Sequence, residues 1–365
     1  MTLGSIRSIL LKKMTVSMLV AILAVFGISV LVLFSASQGS WEKLSTHLVN
    51  ILVAIVLMWC IANLPFQYLH RIALPLYFVG LLLLVLTMFI GDASKGAQRW
   101  LDLGFVRLQP SELMKIAVPL TLAWYFDRYE KVLSLSNFIL AMVLLVIPVA
   151  LILEQPDLGT AILVLASGFF IIFFAGLPLR VLLAFVVLFL LALPFAWEFL
   201  HEYQRLRVLT LLNPYADPLG SGYHTIQSAI ALGSGGFFGK GWMNGTQSQL
   251  NFLPEGSTDF IFAVFGEEFG LLGILVLGVL YGFIVYKGLF IASLASTLFA
   301  RLVAISVTLT FFIYAFVNIG MVTGILPVVG VPLPLVSYGG TSAVTLLLGL
   351  GILMNIDKNR RLVQT

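Results

Sequence analysis

The chain has 365 residues, of which 60% are hydrophobic and only 10% are charged. A soluble domain carries about 25% charged residues, so this composition excludes a water-soluble globular protein and predicts an integral membrane protein. The net charge of +4 is small, and the single cysteine, Cys60, excludes an intramolecular disulfide.

Apolar runs long enough to cross a bilayer as helices follow one another along almost the whole chain. Their length and continuity favour helices over barrel strands, because each helix closes its own backbone hydrogen bonds. The predicted spans are 14–35, 46–64, 71–90, 110–126, 135–154, 159–177, 179–200, 259–286, 300–323 and 340–356. The predicted fold class is therefore all-α, an integral membrane protein with about ten transmembrane helices in a single polytopic domain over 1–365.

Basic residues orient these spans through the positive-inside rule. The first span follows a basic segment and is too long for a signal-peptide core, so it is interpreted as a retained helix. With the N-terminus inside, the inner basic residues are Arg7, Lys12, Lys13, Arg71, Arg128, Lys131, Arg180, Lys287, Arg301, Lys358, Arg360 and Arg361. The outer ones, which are fewer, are Lys43, Lys95, Arg99, Arg107, Arg205, Arg207 and Lys240. We therefore expect both termini to be cytoplasmic.

The largest predicted extracytoplasmic piece is the loop of about 201–258, between spans seven and eight, which is rich in Gly, Asn, Ser and Gln. It carries Arg205, Arg207 and Lys240, while Arg99 precedes the fourth span. Basic residues that lie on the outer side, contrary to the positive-inside rule, can bind an anionic lipid headgroup. Ordinary anchoring to lipid phosphates explains them equally well.

Ionisable residues at membrane depth are costly unless they are paired, so each is a candidate for function. In QPSELMK, Glu112 and Lys115 stand three residues apart on one helical face, where an ion pair that only stabilises the helix start is the alternative. In EQPDLGTA, Glu154 ends the fifth span and Asp157 precedes the sixth, and here a helix N-cap is the favoured interpretation of Asp157.

The segment GSTDFIFAVFGEEFG places Asp259 at the predicted start of the eighth span. Small residues at 263, 266 and 270 follow on nearly the same face, so another helix or a lipid chain can approach closely below the carboxylate. A helix cap is again the alternative for Asp259. Of the deeper Glu267 and Glu268, we expect one to be paired structurally.

The segment VPLPLVSYGGTS, at 331–342, contains too many prolines and glycines for a regular helix, so we expect a shaped loop or re-entrant element. Its hydroxyl donors are Ser337, Tyr338, Thr341 and Ser342. The alternative is a well-capped start of the tenth helix.

All four segments lie on the outer face in the predicted topology, which suggests a single site. Carboxylates beside lysines and arginines fit either cation-coupled transport or group transfer on a phosphorylated lipid. The sequence contains no Walker loop, HExxH helix or nucleophile elbow. The four histidines are too scattered in the sequence to argue for a metal cage.

Long motifs occur in order from the early spans to the last. They are KGAQRW (95–100), QPSE (109–112), QPDLGTA (155–161), NPYADPLGSGYHTIQS (213–228), GTQSQLNFLPEGSTDFIFA (245–263) and PLPLVSYGGTS (332–342). Together they resemble the shape, elongation, division and sporulation family, and its RodA branch more than its FtsW branch. The resemblance implies ten helices and a peptidoglycan glycosyltransferase that polymerises lipid II at the outer face of the bacterial cytoplasmic membrane, for cell elongation and rod shape. It also implies a class B penicillin-binding protein as partner.

By motif match, the family's essential acidic residue falls on Asp259, and Glu112, Lys115 and Asp157 occupy functionally sensitive positions. The chain departs from the family at Gly256 and Ser257, where a basic residue and a histidine commonly precede the Thr-Asp pair. Asp259 is thus the candidate catalytic base. The candidates for substrate binding or coupling to it are Glu112, Lys115, Asp157, Arg99, Arg205, Arg207, Lys240, Ser337 and Thr341.

We expect no tightly bound cofactor; a divalent cation, Mg or Mn, is the open alternative, with unknown ligands. The expected contacts are lipid II, membrane lipids and the transpeptidase, with no nucleic acid. Two rival functions remain, a lipid II flippase or other transporter and a non-catalytic scaffold. Because the inner halves of the spans are nearly uncharged apart from Glu267 and Glu268, a one-sided site is favoured over a transit path.

Overall fold

The computed structural model describes residues 3–94, 97–102, 104, 107–129, 134–199, 202–220 and 222–363. It is mostly helical, at 77%. The long helices are α1 (Leu3–Ala36), α2 (Trp41–Asn63), α3 (Phe66–Ile90), α4 (Pro110–Arg128), α5 (Leu135–Glu154), α6 (Leu158–Phe174), α7 (Leu179–Phe199), α11 (Ile261–Ser293), α12 (Leu298–Val322) and α13 (Gly340–Val363). Each of the ten predicted apolar runs therefore lies on one of these helices.

Within the described residues, seven helices are long and apolar enough to cross a membrane: α1, α2, α3, α5, α11, α12 and α13. The chain is thus a multi-pass membrane protein. The 17-residue α6 is apolar but shorter. α4 is buried almost all round, and it packs against α3, α6 and α12 in the centre of the bundle. A central position shields its charged groups from lipid, which explains why its composition is less apolar than that of its neighbours.

A small sheet corrects the all-α prediction. Strands β1 (Asp92–Ser94), β2 (Ala97–Asp102) and β3 (Arg107–Leu108) form an antiparallel sheet of order β1-β2-β3 between α3 and α4. Leu101 pairs with Leu108, and Asp102 with Arg107. The strands are too short to give an alternating apolar signal, so the sequence pattern did not reveal them.

The predicted loop 201–258 is also more structured than expected. It contains α8 (Glu202–Leu212), a 3₁₀ turn (Pro214–Ala216), α9 (Tyr223–Gly235) and α10 (Thr246–Gln249). α9 packs against α11, and a Cβ at Gly235 would collide with the carbonyl of Gly266. The small-residue stripe on α11 therefore admits a helix, one of the two alternatives expected from the sequence.

α11 is broken at Gly270, whose φ of 62° and ψ of −164° are not helical. The segment 236–241 runs beside the break and pairs with it. The amides of Lys240 and Gly241 donate to the carbonyls of Glu267 and Glu268 over 3.0 Å. A broken helix at membrane depth is tolerated where other protein groups satisfy its backbone, as they do here.

Candidate functional site

Asp259 is half-buried in the turn before α11 and not in the helix itself, which begins at Ile261. It stands at the end of the bundle where α1, α3, α5 and α12 terminate and α2, α4, α6, α11 and α13 begin, called here the site end. The predicted helix-capping alternative therefore does not describe it, because the N-cap residue is Phe260 and makes no side-chain cap.

The segment 325–339 wraps around this turn without regular structure, as the prolines predicted. The Ser337 hydroxyl donates to the carbonyl of Thr258 over 2.6 Å and accepts from the amide of Leu333. The amide of Tyr338 donates to the carbonyl of Ser257 over 2.9 Å. The backbone on the N-terminal side of Asp259 is thus tied to the 325–339 segment.

Gly330 is a point at which this segment approaches the Asp259 carboxylate. Its φ is +74°, a conformation that glycine adopts without strain. A Cβ at this position would lie 3.5 Å from Oδ2 of Asp259. Glycine therefore leaves room for the Asp259 carboxylate beside the chain.

Asn318 of α12 holds the same region from below. Its side-chain amide donates to the carbonyl of Asp259 over 2.8 Å and to that of Val331 over 2.7 Å. The residue is fully buried, and Oδ1 finds no partner among the described residues. One side chain thus joins the Asp259 turn to the 325–339 segment.

The predicted pair of Glu112 and Lys115 is confirmed, with Nζ 2.6 Å from Oε1. Lys115 also donates to the hydroxyl of Tyr314 on α12 over 2.5 Å, and both charged side chains are buried. Tyr314 precedes Asn318 by one helical turn, so the two side chains share a face of α12. α12 therefore links the ion pair to the Asp259 turn.

Asp157 is the N-cap of α6, accepting from the amide of Thr160 over 3.2 Å, as the favoured interpretation predicted. Its other oxygen accepts from the Gln109 amide over 3.0 Å. Close packing then ties the start of α6 to the 325–339 segment, since a Cβ at Gly159 would lie 2.6 Å from the carbonyl of Val329. The QPDLGTA and GSTD segments thus both contact the 325–339 segment, and the QPSELMK segment joins them through Gln109 at the same end of the bundle.

The predicted cations are distributed differently. Arg99 donates to the backbone carbonyls of Gln155 and Pro156, beside the cap of α6. Lys240 pairs with Glu267 over 2.8 Å. Arg205 donates to the carbonyl of Glu198 over 2.7 Å, whereas Arg207 lines a cavity between α8, α9 and the 325–339 segment. Thr341 lies in the first turn of α13, where its carbonyl accepts from Thr345.

Glu267 and Glu268 belong to a separate cluster at the break in α11. Glu267 accepts from Lys240, from the Thr246 hydroxyl over 3.0 Å and from the amide of Gln247. Glu268 accepts from the Ser35 hydroxyl of α1. The expectation that one of the two is paired structurally is confirmed for Glu267.

Sequence reasoning missed Asn318, Tyr314, Gln109 and His224 as parts of this region. His224 stacks on Phe260 with ring centroids 5.4 Å apart, next to Asp259 in the chain. Burial lowers the pKa of His224, and the nearby Glu255 carboxylate opposes that shift. An asparagine inside the apolar run 298–322 is itself a signal that could have found Asn318, because buried amides need partners.

Among the described residues, no three His, Cys, Asp or Glu side chains converge as they do around a resident metal ion. The described side chains near Asp259 therefore do not by themselves form the ligand set of a resident metal ion.

Residues 9–362 match the model of the FtsW, RodA and SpoVE family of cell cycle proteins. The chain is 51% identical over 348 residues to the peptidoglycan glycosyltransferase MrdB of Escherichia coli K12, covering 95% of this chain and 94% of that protein. It is 41% identical over 316 residues to MrdB of Helicobacter pylori J99, covering 83% and 80%.

Solved structures agree with these sequence relatives. A chain of a peptidoglycan synthase complex that coordinates polymerization and crosslinking is similar with a TM-score of 0.83 and 33% identity, covering 94% of this chain and 97% of that one. The rod shape determining protein RodA of Thermus thermophilus is similar with a TM-score of 0.72 and 29% identity, covering 94% and 96%. The chain therefore belongs to the FtsW, RodA and SpoVE family.

Proposed function

We propose that this protein is a peptidoglycan glycosyltransferase that polymerises lipid II, with Asp259 as its general base. Its similarity at 51% identity, over nearly its whole length, to a protein named for that activity supports the reaction. The observation that supports the site is the convergence of the QPSE, QPDLGTA, GSTD and PLPLVSYGG segments at one end of the bundle.

The reaction joins the 4-hydroxyl of an acceptor sugar to the anomeric carbon of a donor. As the new carbon–oxygen bond forms, the hydroxyl proton passes to the Asp259 carboxylate. The bond between the anomeric carbon and the lipid diphosphate breaks, and its electron pair leaves on the diphosphate oxygen. That growing negative charge requires nearby cations or hydrogen-bond donors.

The remaining site residues hold Asp259 in position. Ser337 and Asn318 hold the backbone on which Asp259 stands, and the buried pair of Glu112 and Lys115 supports α12 through Tyr314. Asp157 caps α6 and joins it to Gln109. Such a supporting set keeps a carboxylate within the narrow geometry that proton transfer needs.

In this proposal all ten long helices cross the cytoplasmic membrane as one domain, and both termini are cytoplasmic. The site end, with α8 to α10, then faces outward, and the excess of basic residues predicted on the inner side supports this orientation. The partner is a class B penicillin-binding protein that crosslinks the new strands. The similarity to a chain of a synthase complex supports that assembly.

The decisive test is polymerisation of lipid II in detergent by the purified protein with its transpeptidase partner. Wild type should produce glycan polymer, and Asp259→Asn, which keeps the shape of the side chain, should lose roughly 10²- to 10⁴-fold in rate. Asp102→Asn on the exposed β2 strand is the control and should polymerise normally.

Undiminished polymerisation by Asp259→Asn would show that another group is the base. A wild type that makes no polymer, yet moves lipid II between the leaflets of a vesicle, would establish the flippase. If it does neither but still binds the transpeptidase, the scaffold reading is correct.

A further inference from the structure

A cavity of about 270 Å³ opens between α8, α9 and the 325–339 segment. Its polar lining consists of Arg207 and Thr210 from α8 and of His224 and Thr225 from α9. Leucines of α8 together with Leu326, Pro327 and Val328 form the apolar remainder. The lining is thus amphipathic, with its polar groups on two neighbouring helices.

The cavity adjoins the Asp259 turn through two independent contacts. On one wall, His224 stacks on Phe260 at an interplanar angle of 13°, and Phe260 follows Asp259 directly. On the other wall, Val328 is two residues from Gly330, which lies beside the Asp259 carboxylate. A molecule in this cavity would therefore have its reacting end close to the candidate base.

The polar lining is suited to an anion. Arg207 is a permanent cation that matches phosphate oxygens with paired donors, and the two threonine hydroxyls can donate as well. Nδ1 of His224 is buried without a hydrogen-bond partner among the described residues. The nearby Glu255 carboxylate raises the pKa of His224 while burial lowers it, so Arg207 is the permanently charged group of the lining.

The other candidate cations are not among the residues that line this cavity. Arg99 donates to the carbonyls of Gln155 and Pro156, between α5 and α6. Lys240 pairs with the fully buried Glu267. Arg205 donates to the carbonyl of Glu198. Of the substrate-binding candidates Arg99, Arg205, Arg207 and Lys240, Arg207 is the one that lines the cavity beside the Asp259 turn.

We propose that this cavity binds the diphosphate of the lipid-linked donor, with Arg207, Thr210, His224 and Thr225 as its polar contacts. This assignment rests on the proposed glycosyltransferase function. When the anomeric bond breaks, the electron pair that passes to the diphosphate oxygen is then stabilised beside Arg207. A phospholipid headgroup offers related phosphate chemistry, so the test distinguishes the two sources.

The test is direct binding to full-length protein carrying Asp259→Ala, in which turnover should be strongly reduced. The probe is undecaprenyl diphosphate in detergent, and phosphatidylglycerol is the second arm. Adding Arg207→Gln should weaken undecaprenyl diphosphate binding roughly tenfold or more, as expected for loss of a charge-assisted contact. Phosphatidylglycerol binding should be unchanged.

Arg301→Gln, an exposed arginine at the opposite end of the bundle, removes the same charge and should leave both affinities unchanged. Thermal unfolding verifies that each variant is folded, and Thr210→Val gives a second, uncharged test of the same wall. Equal weakening for both lipids would overturn the assignment in favour of a phospholipid site. Unchanged undecaprenyl diphosphate binding in Arg207→Gln and Thr210→Val would overturn it outright.

The result is separable from the proposed function. If wild type makes no polymer while binding of undecaprenyl diphosphate still depends on Arg207, the glycosyltransferase function fails and the diphosphate site stands. If wild type polymerises and Arg207→Gln does so with normal KM and kcat, the function stands and the diphosphate site is elsewhere.

Discussion

The backbone around Asp259 is held from two directions. The Asn318 side chain donates to the carbonyl of Asp259, and the Ser337 hydroxyl donates to the carbonyl of Thr258. Gly330, opposite, has no side chain to displace the carboxylate. Catalysis by a general base requires such placement, because proton transfer tolerates little error in distance.

Asn318→Ala should reduce both stability and turnover. The change leaves two buried carbonyls without their donor, which costs about 1–3 kcal/mol in the free energy of unfolding. It also releases the Asp259 turn, so kcat for lipid II polymerisation should fall while KM changes less. Thermal unfolding and steady-state kinetics measure the two effects.

Asn355 is a matched control, since its side chain also donates to two carbonyls, those of Ile61 and Leu64, at the opposite end of the bundle. Asn355→Ala should cost similar stability and leave kcat of the folded protein unchanged. An equal loss of kcat in both variants would mean that Asn318 acts only through general stability.

His224 makes binding in the proposed diphosphate cavity depend on pH. Burial lowers its pKa below the ordinary value of 6.5, and Glu255 opposes this. The other charged group in the lining is Arg207 on α8, and the 325–339 segment contributes apolar contacts. A bound anion favours the protonated imidazole, so binding should take up a proton and strengthen as the pH falls below the ordinary pKa of histidine.

Undecaprenyl diphosphate binding to Asp259→Ala protein, measured from pH 7.5 to pH 5.5, tests this. Because the probe titrates as well, the comparison is with the same protein carrying His224→Gln, in which the pH dependence should be weaker. Identical profiles would remove His224 from the site.

At the scale of elements, the break in α11 is stabilised by side chains as well as by backbone pairing. The carboxylate of Glu267 is fully buried. It accepts hydrogen bonds from Lys240, Thr246 and Gln247, all of which belong to the segment preceding α11. This cluster ties α10 to the broken helix, below the turn that carries Asp259.

Lys240→Met should therefore destabilise the fold. Removing one partner of a buried ion pair costs about 3–5 kcal/mol in unfolding free energy, and the partial exposure of Lys240 places the effect toward the lower end. Arg107→Met, which removes the exposed pair with Asp102, should cost only about 0–1 kcal/mol. The unfolding midpoints of the two variants are measured in detergent and compared. Equal midpoints would show that the Lys240 pair contributes no more to stability than a surface ion pair.

Local features were predictable, and distant contacts were not. The pair of Glu112 and Lys115 and the cap at Asp157 depend on spacings of three residues, which helix geometry fixes. The contact of Gln109 with Asp157, or of Asn318 with Asp259, joins positions 48 and 59 residues apart, and no local pattern specifies it.

The break at Gly270 illustrates the same limit. Its glycine was recognised as one of a small-residue stripe suited to close packing. The kink, however, requires amides of the segment 236–241 as hydrogen-bond donors. From the sequence, this segment was recognisable only as part of a glycine-rich loop. The tertiary structure supplies the partners that make the broken helix possible.

At the scale of the whole molecule, hydropathy identified every long helix, because the bilayer requires continuous apolar runs. The exposed apolar side chains of α2, α3, α5 and α11 cover the outside of the bundle, while the polar side chains of α4 and α12 lie within. Because the outside of the bundle is apolar, water-soluble groups of a substrate can reach the protein only at the two ends of the bundle. Polymerisation at the outer face therefore requires that the site end faces outward.

Labelling of single cysteines tests that orientation most directly. In a Cys60→Ser background, Pro254→Cys reports on the exposed turn before Asp259, and Ser293→Cys reports on the opposite end, between α11 and α12. In intact spheroplasts, a membrane-impermeant maleimide should label Pro254→Cys, and should reach Ser293→Cys only after permeabilisation. Labelling of Ser293→Cys alone in intact spheroplasts would place Asp259 in the cytoplasm and contradict polymerisation at the outer face.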